Sequence, residues 1–217
     1  LMLLMVPDGP FRKKANKIDL SIIPALFRMK LFRSAAFGYF GHMWELYAFW
    51  AFVPTMFILN QSFNPEQGVN NIALWSFIII ASGGLSCAIG GFFSSRYGSD
   101  RVAFYALLIS GFCCLLSPWL ISLTTELFVA AMFLWGTSVV ADSPQFSSLI
   151  AKAVPAEVRG SALTIVNSMG FAITIISIQL VQLLSNNLPN QYLFLVLAIG
   201  PVLGILALKT TLKAHHH

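Results

Sequence analysis

All 13 Lys and Arg residues of this 217-residue chain fall in alternate connections of a sixfold series of apolar runs. The runs cover about 34–58, 71–94, 102–122, 126–151, 160–185 and 190–208, near the roughly 20 residues that a helix needs to cross a bilayer. Arg12, Lys13, Lys14, Lys17, Arg28, Lys30 and Arg33 precede the first run. Arg96 and Arg101 separate the second from the third, Lys152 and Arg159 the fourth from the fifth, and Lys209 and Lys213 follow the sixth. The other three connections, near 59–70, 123–125 and 186–189, contain no base. A water-soluble fold has no reason to sort its cations this way. A polytopic membrane protein does, because Lys and Arg are retained on the cytoplasmic side. The expectation is an all-α integral membrane bundle of six helices in the inner cell membrane, with both termini cytoplasmic.

Composition agrees. Only 10% of residues are charged and mean hydropathy is +0.78, against roughly a quarter charged in soluble domains. Such a chain cannot cover a water-facing surface. The net charge of +5 does not signal nucleic acid, because the bases flank spans instead of forming a patch. Cys87, Cys113 and Cys114 lie within apolar runs without metal-ligand spacing and read as packing residues. No nucleotide loop, nucleophile elbow or zinc motif occurs, so no enzyme activity and no cofactor is expected.

Three regions follow. Residues 1–33 comprise a short apolar start, Leu1–Met5, read as the last turn of a preceding helix, and a basic linker. The linker's Ile18, Leu20, Ile22, Ile23, Leu26, Phe27, Met29 and Leu31 suit a helix lying on the inner membrane face. Residues 34–208 are the membrane domain. Residues 209–217 form a tail ending in His215–His217, which resembles part of a purification tag.

Candidate chemistry sits at mid-membrane. Glu45 lies 12 residues past Arg33, about 18 Å into the first span. Asp142 lies 10 residues before Lys152, about 15 Å into the fourth. A charge at that depth costs roughly 2.5–3.5 kcal/mol on insertion scales, and no Lys or Arg shares it. Each acid must therefore be protonated, face a wet cavity or meet a partner outside the chain. Low dielectric favours the neutral carboxyl, the property a reversible proton carrier needs. His42, three residues before Glu45, shares its helix face.

Trp44, Tyr47 and Trp50 surround the acid as candidate cavity lining. Pro144 interrupts the fourth span beside Ser143 and Gln145, a usual pointer to a transport site. Asn167 in the fifth span is a further candidate. Small residues crowd the second span (Ser82, Gly83, Gly84, Ser86, Ala88, Gly90, Gly91) and the fifth (Ser161, Ala162, Ser168, Gly170, Ala172), where helices are expected to approach closely.

The stretch Gly91-Phe-Phe-Ser-Ser95-Arg96-Tyr-Gly98-Ser-Asp100-Arg101 resembles the loop between the second and third helices of each half of major facilitator superfamily transporters. Ser95 stands where that family carries an acid. Pro155-Ala-Glu157-Val-Arg159-Gly160 resembles the matching loop before the eleventh helix, and Val6-Pro7-Asp8-Gly9-Pro10 with its bases resembles the central loop. Gly38–Tyr47 is similar to bacterial members of unassigned substrate.

The resemblance implies the C-terminal half, helices seven to twelve. In that family the first and fourth helices of each half line the central cavity, which would put Glu45 and Asp142 there. It further implies secondary, proton-coupled transport of a small molecule, by symport or antiport. The implied partners are the lipid bilayer, protons, the small-molecule substrate, and the N-terminal six-helix half or a second copy of the chain. The alternatives are a half with no transport of its own that self-associates, and a membrane binding or sensor module.

Overall fold

The computed structural model describes residues 20–214, with side chains over 21–209. Among the described residues there are helices and turns and no strand: α1 (Ile23–Arg28), α2 (Lys30–Phe63), α3 (Ile72–Tyr97), α4 (Ser99–Ile121), α5 (Thr125–Ala141), α6 (Ser143–Lys152), α7 (Arg159–Ser185) and α8 (Ile199–Ala214). Short 3-10 segments precede α1 (Leu20–Ile22), α7 (Ala156–Val158) and α8 (Asn190–Ala198). Five helical stretches among these residues are long and apolar enough to cross a membrane: Ile72–Tyr97, Ser99–Ile121, Thr125–Lys152, Ala156–Ser185 and Asn190–Lys209. They coincide with the second to sixth predicted spans. The first, α2, is 34 residues long, but Glu45, His42, Asn60 and its Trp and Tyr residues lower its hydropathy.

That helix is the axis of the bundle. It packs chiefly on α7 and α8, and also against α6. Phe32, Ala36, Ala48, Phe49, Val53 and Met56 on it are fully buried. The contact with α8 is a glycine crossing. A Cβ on Gly41 would run into the Gly200 carbonyl, and one on Gly204 would lie 3.2 Å from the Gly38 carbonyl. Helices in lipid gain little from burying apolar surface, so close backbone approach replaces it. Pro54 is accommodated inside α2 without ending the helix.

The second span packs on the fourth through alternate small residues. A Cβ on Gly83 would meet Val140, and one on Gly90 would lie 2.9 Å from the Ala141 carbonyl. Gly84 and Gly91, by contrast, have nothing within 4 Å of a Cβ. Three of the seven small residues predicted to mark a close approach in this span, Gly84, Ala88 and Gly91, are thus exposed on the described bundle.

Punctuation follows local chemistry. Asn71 caps α3 by accepting from the Leu74 N–H at 3.0 Å. Gly98, at φ 93°, makes the turn from α3 to α4, a conformation that disfavours side chains. Asn60, within the connection predicted near 59–70, instead lies inside α2 and clamps the base-free end of the bundle. Its amide donates to the Ile121 and Leu123 carbonyls at 2.9 and 2.8 Å. At the basic end Ser34 donates to the Ala207 carbonyl at 2.6 Å, and Arg159 donates to the Ala151 carbonyl at 2.8 Å.

Where the linker is described, its helix is short. Residues 20–28 form a 3-10 turn and the six-residue α1, ended at Met29, whose backbone is extended. Leu26 is buried, and α1 packs on α2 and α7. The stretch 1–19, with the predicted stop signal and basic run, and the histidines at 215–217 lie outside the described residues.

Candidate functional site

Pro144 sets up the site. A residue inside a helix normally donates its N–H four residues back, and proline has none to give. The helix breaks here: α5 ends at Ala141, Asp142 is the junction, and α6 begins at Ser143. The Val140 carbonyl, which a residue at 144 would have bonded, receives the Cys87 thiol from α3 at 3.7 Å. The Asp142 side chain stands at the break and is 1% exposed.

Its neighbour is His42 on α2. Nδ1 of His42 and Oδ1 of Asp142 are 2.8 Å apart, an ion-pair distance between two buried groups. Their alignment falls outside hydrogen-bond geometry, and neither side chain has a hydrogen bond to another described residue. The ring of His42 lies between Tyr39 and Phe146, with centroids 5.9 and 5.8 Å away. Asp142, which has no Lys or Arg at its depth, thus has a histidine of the same chain beside it.

Glu45, one helical turn along α2, is held differently. Its Oε1 accepts from the Trp135 indole at 2.7 Å and from the Cys114 thiol at 3.2 Å. Its Oε2 lies 2.8 Å from the Ser110 hydroxyl, which is also 3.3 Å from the Leu107 carbonyl. This arrangement suits both forms of the acid. An ionised Glu45 accepts from Ser110; a protonated one donates from Oε2 to Ser110, whose hydroxyl then turns to Leu107. Glu45, Ser110 and Cys114 are all fully buried, so every polar atom of the nest is spoken for. Phe49 packs on the Trp135 ring at 4.9 Å and fixes the donor.

His42 and Glu45 thus share a helix but not a partner set: His42 faces the break between α5 and α6, Glu45 faces α4 and α5. The sequence alone does not single out the nest residues Ser110, Cys114 and Trp135, and Cys114 reads there as a packing residue. A signal existed. Ser110 and Cys114 are four apart on one helix face, and Trp135 is seven residues before Asp142, hence on the same face.

The remaining candidates scatter. Trp44 is half-buried and donates to the Val196 carbonyl at 3.1 Å. Tyr47 packs on Trp50 and on Phe171 of α7, with centroids 5.2 and 5.5 Å away, while the Trp50 indole N–H has no partner among the described residues. Gln145 is buried, Ser143 and Asn167 are intermediate and Pro144 is exposed.

In the first loop motif Ser95 donates to its own helix at Phe92, and the Arg96 guanidinium stands 5.7 Å over the Tyr97 ring. Gly91 is exposed, Asp100 lies in the first turn of α4, and Arg101 is exposed. In the second motif Pro155 precedes a 3-10 turn, Arg159 closes the end of α6, and Gly160 has open space around it. A groove of about 1100 Å³ does open on the bundle, but between α3, α4 and α5. None of Glu45, His42, Asp142 or the predicted cavity residues lines it.

No group of three or more His, Cys, Asp or Glu among the described residues is arranged to hold a metal. The family model described as Major Facilitator Superfamily matches residues 1–216. No curated protein matches the chain.

Proposed function

The chain belongs to the Major Facilitator Superfamily, and from that membership we propose that it forms the C-terminal six-helix half of a proton-coupled secondary transporter for a small molecule. The observation that carries the reading is the buried His42–Asp142 contact, which joins α2 to the break between α5 and α6. In transporters of this architecture two six-helix halves enclose a midplane site and rock about it, and interrupted helices mark that site.

The coupling logic follows from charge. The pair is electrically neutral both as imidazolium with carboxylate and as imidazole with carboxylic acid. Adding or removing one proton leaves a net charge in a dry core, which costs several kcal/mol. A proton therefore enters or leaves only when rocking admits water to the pair, and the pair must return to neutrality before the cavity closes. Substrate movement tied to the same rocking is then tied to the proton. Trp44, Tyr47, Trp50, Ser143, Gln145 and Asn167 lie on the helices that would face the substrate.

The second half of the cavity would come from the N-terminal six helices or from another copy of the chain. Support comes from the outer faces of α3 and α7. Ala81, Gly84, Ala88 and Gly91 on one, and Thr164, Ser168, Ala172 and Gln179 on the other, are exposed and small or polar, the residue types that let membrane helices approach each other closely. The basic end of the bundle would be cytoplasmic, with both termini there.

The test is solute transport in proteoliposomes carrying an internal pH dye. A screen of small solutes should find one whose uptake or efflux moves the dye. Asp142→Asn should keep downhill exchange of that solute and lose its accumulation against a gradient. Unchanged proton-driven accumulation in that variant would sink the mechanism.

A further inference from the structure

We propose that the groove between α3, α4 and α5 is a binding site for one anionic phospholipid, with the acyl chains in the groove and the phosphate on Arg101. A membrane protein meets lipid everywhere, but this surface is more than a lipid-facing wall. It is a concavity of about 1100 Å³ with an almost wholly apolar lining, including Leu85, Ile89, Ile109, Phe133 and Leu134. It has one charged lining residue, Arg101.

Three observations fix the occupant. The first is charge. Arg101 is exposed and makes no ion pair with a described residue. The neighbouring carboxylate of Asp100 folds back over Gly98, with its oxygen 2.7 Å from where a Cβ would stand. Tyr97 and Tyr105, 50% and 60% exposed, line the same end, and the Arg96 guanidinium lies over the Tyr97 ring. One cation and two phenols at one mouth suit a phosphate headgroup and repel a cationic one.

The second is polarity along the axis. The charged end of the groove is the basic end of the bundle, the side that the distribution of Lys and Arg assigns to the cytoplasm, where anionic lipids are concentrated.

The third is length. Along α3 the groove runs from Ser82 to Tyr97, 15 residues or about 22 Å. That is close to half of the roughly 40–45 Å thickness of a bilayer with its headgroups. The groove is one leaflet deep, with Ser82 and Phe133 lining its inner end and Tyr97 and Arg101 its headgroup end.

Binding there would wedge the span bearing Gly83 and Gly90 against α5, the helix that supplies Trp135 and leads into Asp142. The proposal does not rest on the transport reading.

The test uses the full chain in detergent, titrated with phosphatidylglycerol or phosphatidylcholine, with bound lipid counted by native mass spectrometry. Phosphatidylglycerol should bind about fivefold more tightly than phosphatidylcholine, the effect of one base near an anionic headgroup. Arg101→Gln should bring the two to parity. Lys30→Gln, at the same end but outside the groove, should leave the preference intact. Leu134→Trp, which fills the floor, should lower retention of both lipids alike; if that variant does not fold, the comparison of the Arg101 and Lys30 variants decides.

Equal affinities in the unmodified chain would overturn the proposal. So would an Arg101→Gln variant that keeps its preference, or a Lys30→Gln variant that loses it as fully. Displacement of the lipid by soluble glycerol phosphate at matching concentration would assign Arg101 to a free phosphate and refute the lipid.

Discussion

Two buried acids lie within about one helix width of α2, and the protein treats them oppositely. Glu45 sits in a nest of an indole, a thiol and a hydroxyl, with each oxygen partnered. Asp142 sits at a helix break against one imidazole, with poor alignment and no further partner among the described residues. Burial is the same; satisfaction is not. A fully satisfied polar group rigidifies a core, while an incompletely satisfied one is held at a cost and changes state when water reaches it. We read the first as a structural joint among α2, α4 and α5, and the second as the element that responds to protons.

The sharpest way to break this comparison is to delete one partner at each place. Asp142→Ala leaves His42 alone in an apolar core and should cost about 3–5 kcal/mol, read by denaturant unfolding in mixed micelles. The double variant His42→Leu with Asp142→Leu should recover most of that loss, because an apolar pair of similar size replaces an ion pair at little cost. Failure of the double variant to recover would mean that the two residues do not act together.

Trp135→Phe keeps the ring against Phe49 but removes a donor to Glu45, and should cost about 1–3 kcal/mol. Glu45→Gln should be the mildest, below about 1 kcal/mol. The glutamine oxygen still accepts from Trp135 and Cys114, and its amide donates to Ser110. If Glu45→Gln proved as damaging as Asp142→Ala, the contrast between nest and pair would be lost.

Much of the fold was legible. Spans two to six follow from apolar runs and punctuation, and the fourth span's break was readable from Pro144. The position of Glu45 and Asp142 well inside their helical spans followed from counting residues to the nearest base. The partners did not. In lipid the core and the outer surface of a bundle are equally apolar, so the spans carry no polar stripe to show which face meets which neighbour. Hence Ser110, Cys114 and Trp135 were invisible as a group, and Gly83 could not be told from Gly84, though one meets Val140 and the other meets nothing.

The described part of the linker, residues 20–29, holds only a short helix, for a local reason. Met29 takes an extended backbone, which ends α1, and Leu26 is buried in the core.

The most direct test of the central claim is infrared difference spectroscopy of the purified chain between acidic and alkaline buffer, in the region of the protonated carboxyl stretch. The account predicts a pH-dependent carboxyl band that vanishes in Asp142→Asn and survives in Glu45→Gln. A band that instead vanishes in Glu45→Gln, or no titrating carboxyl at all, would contradict it.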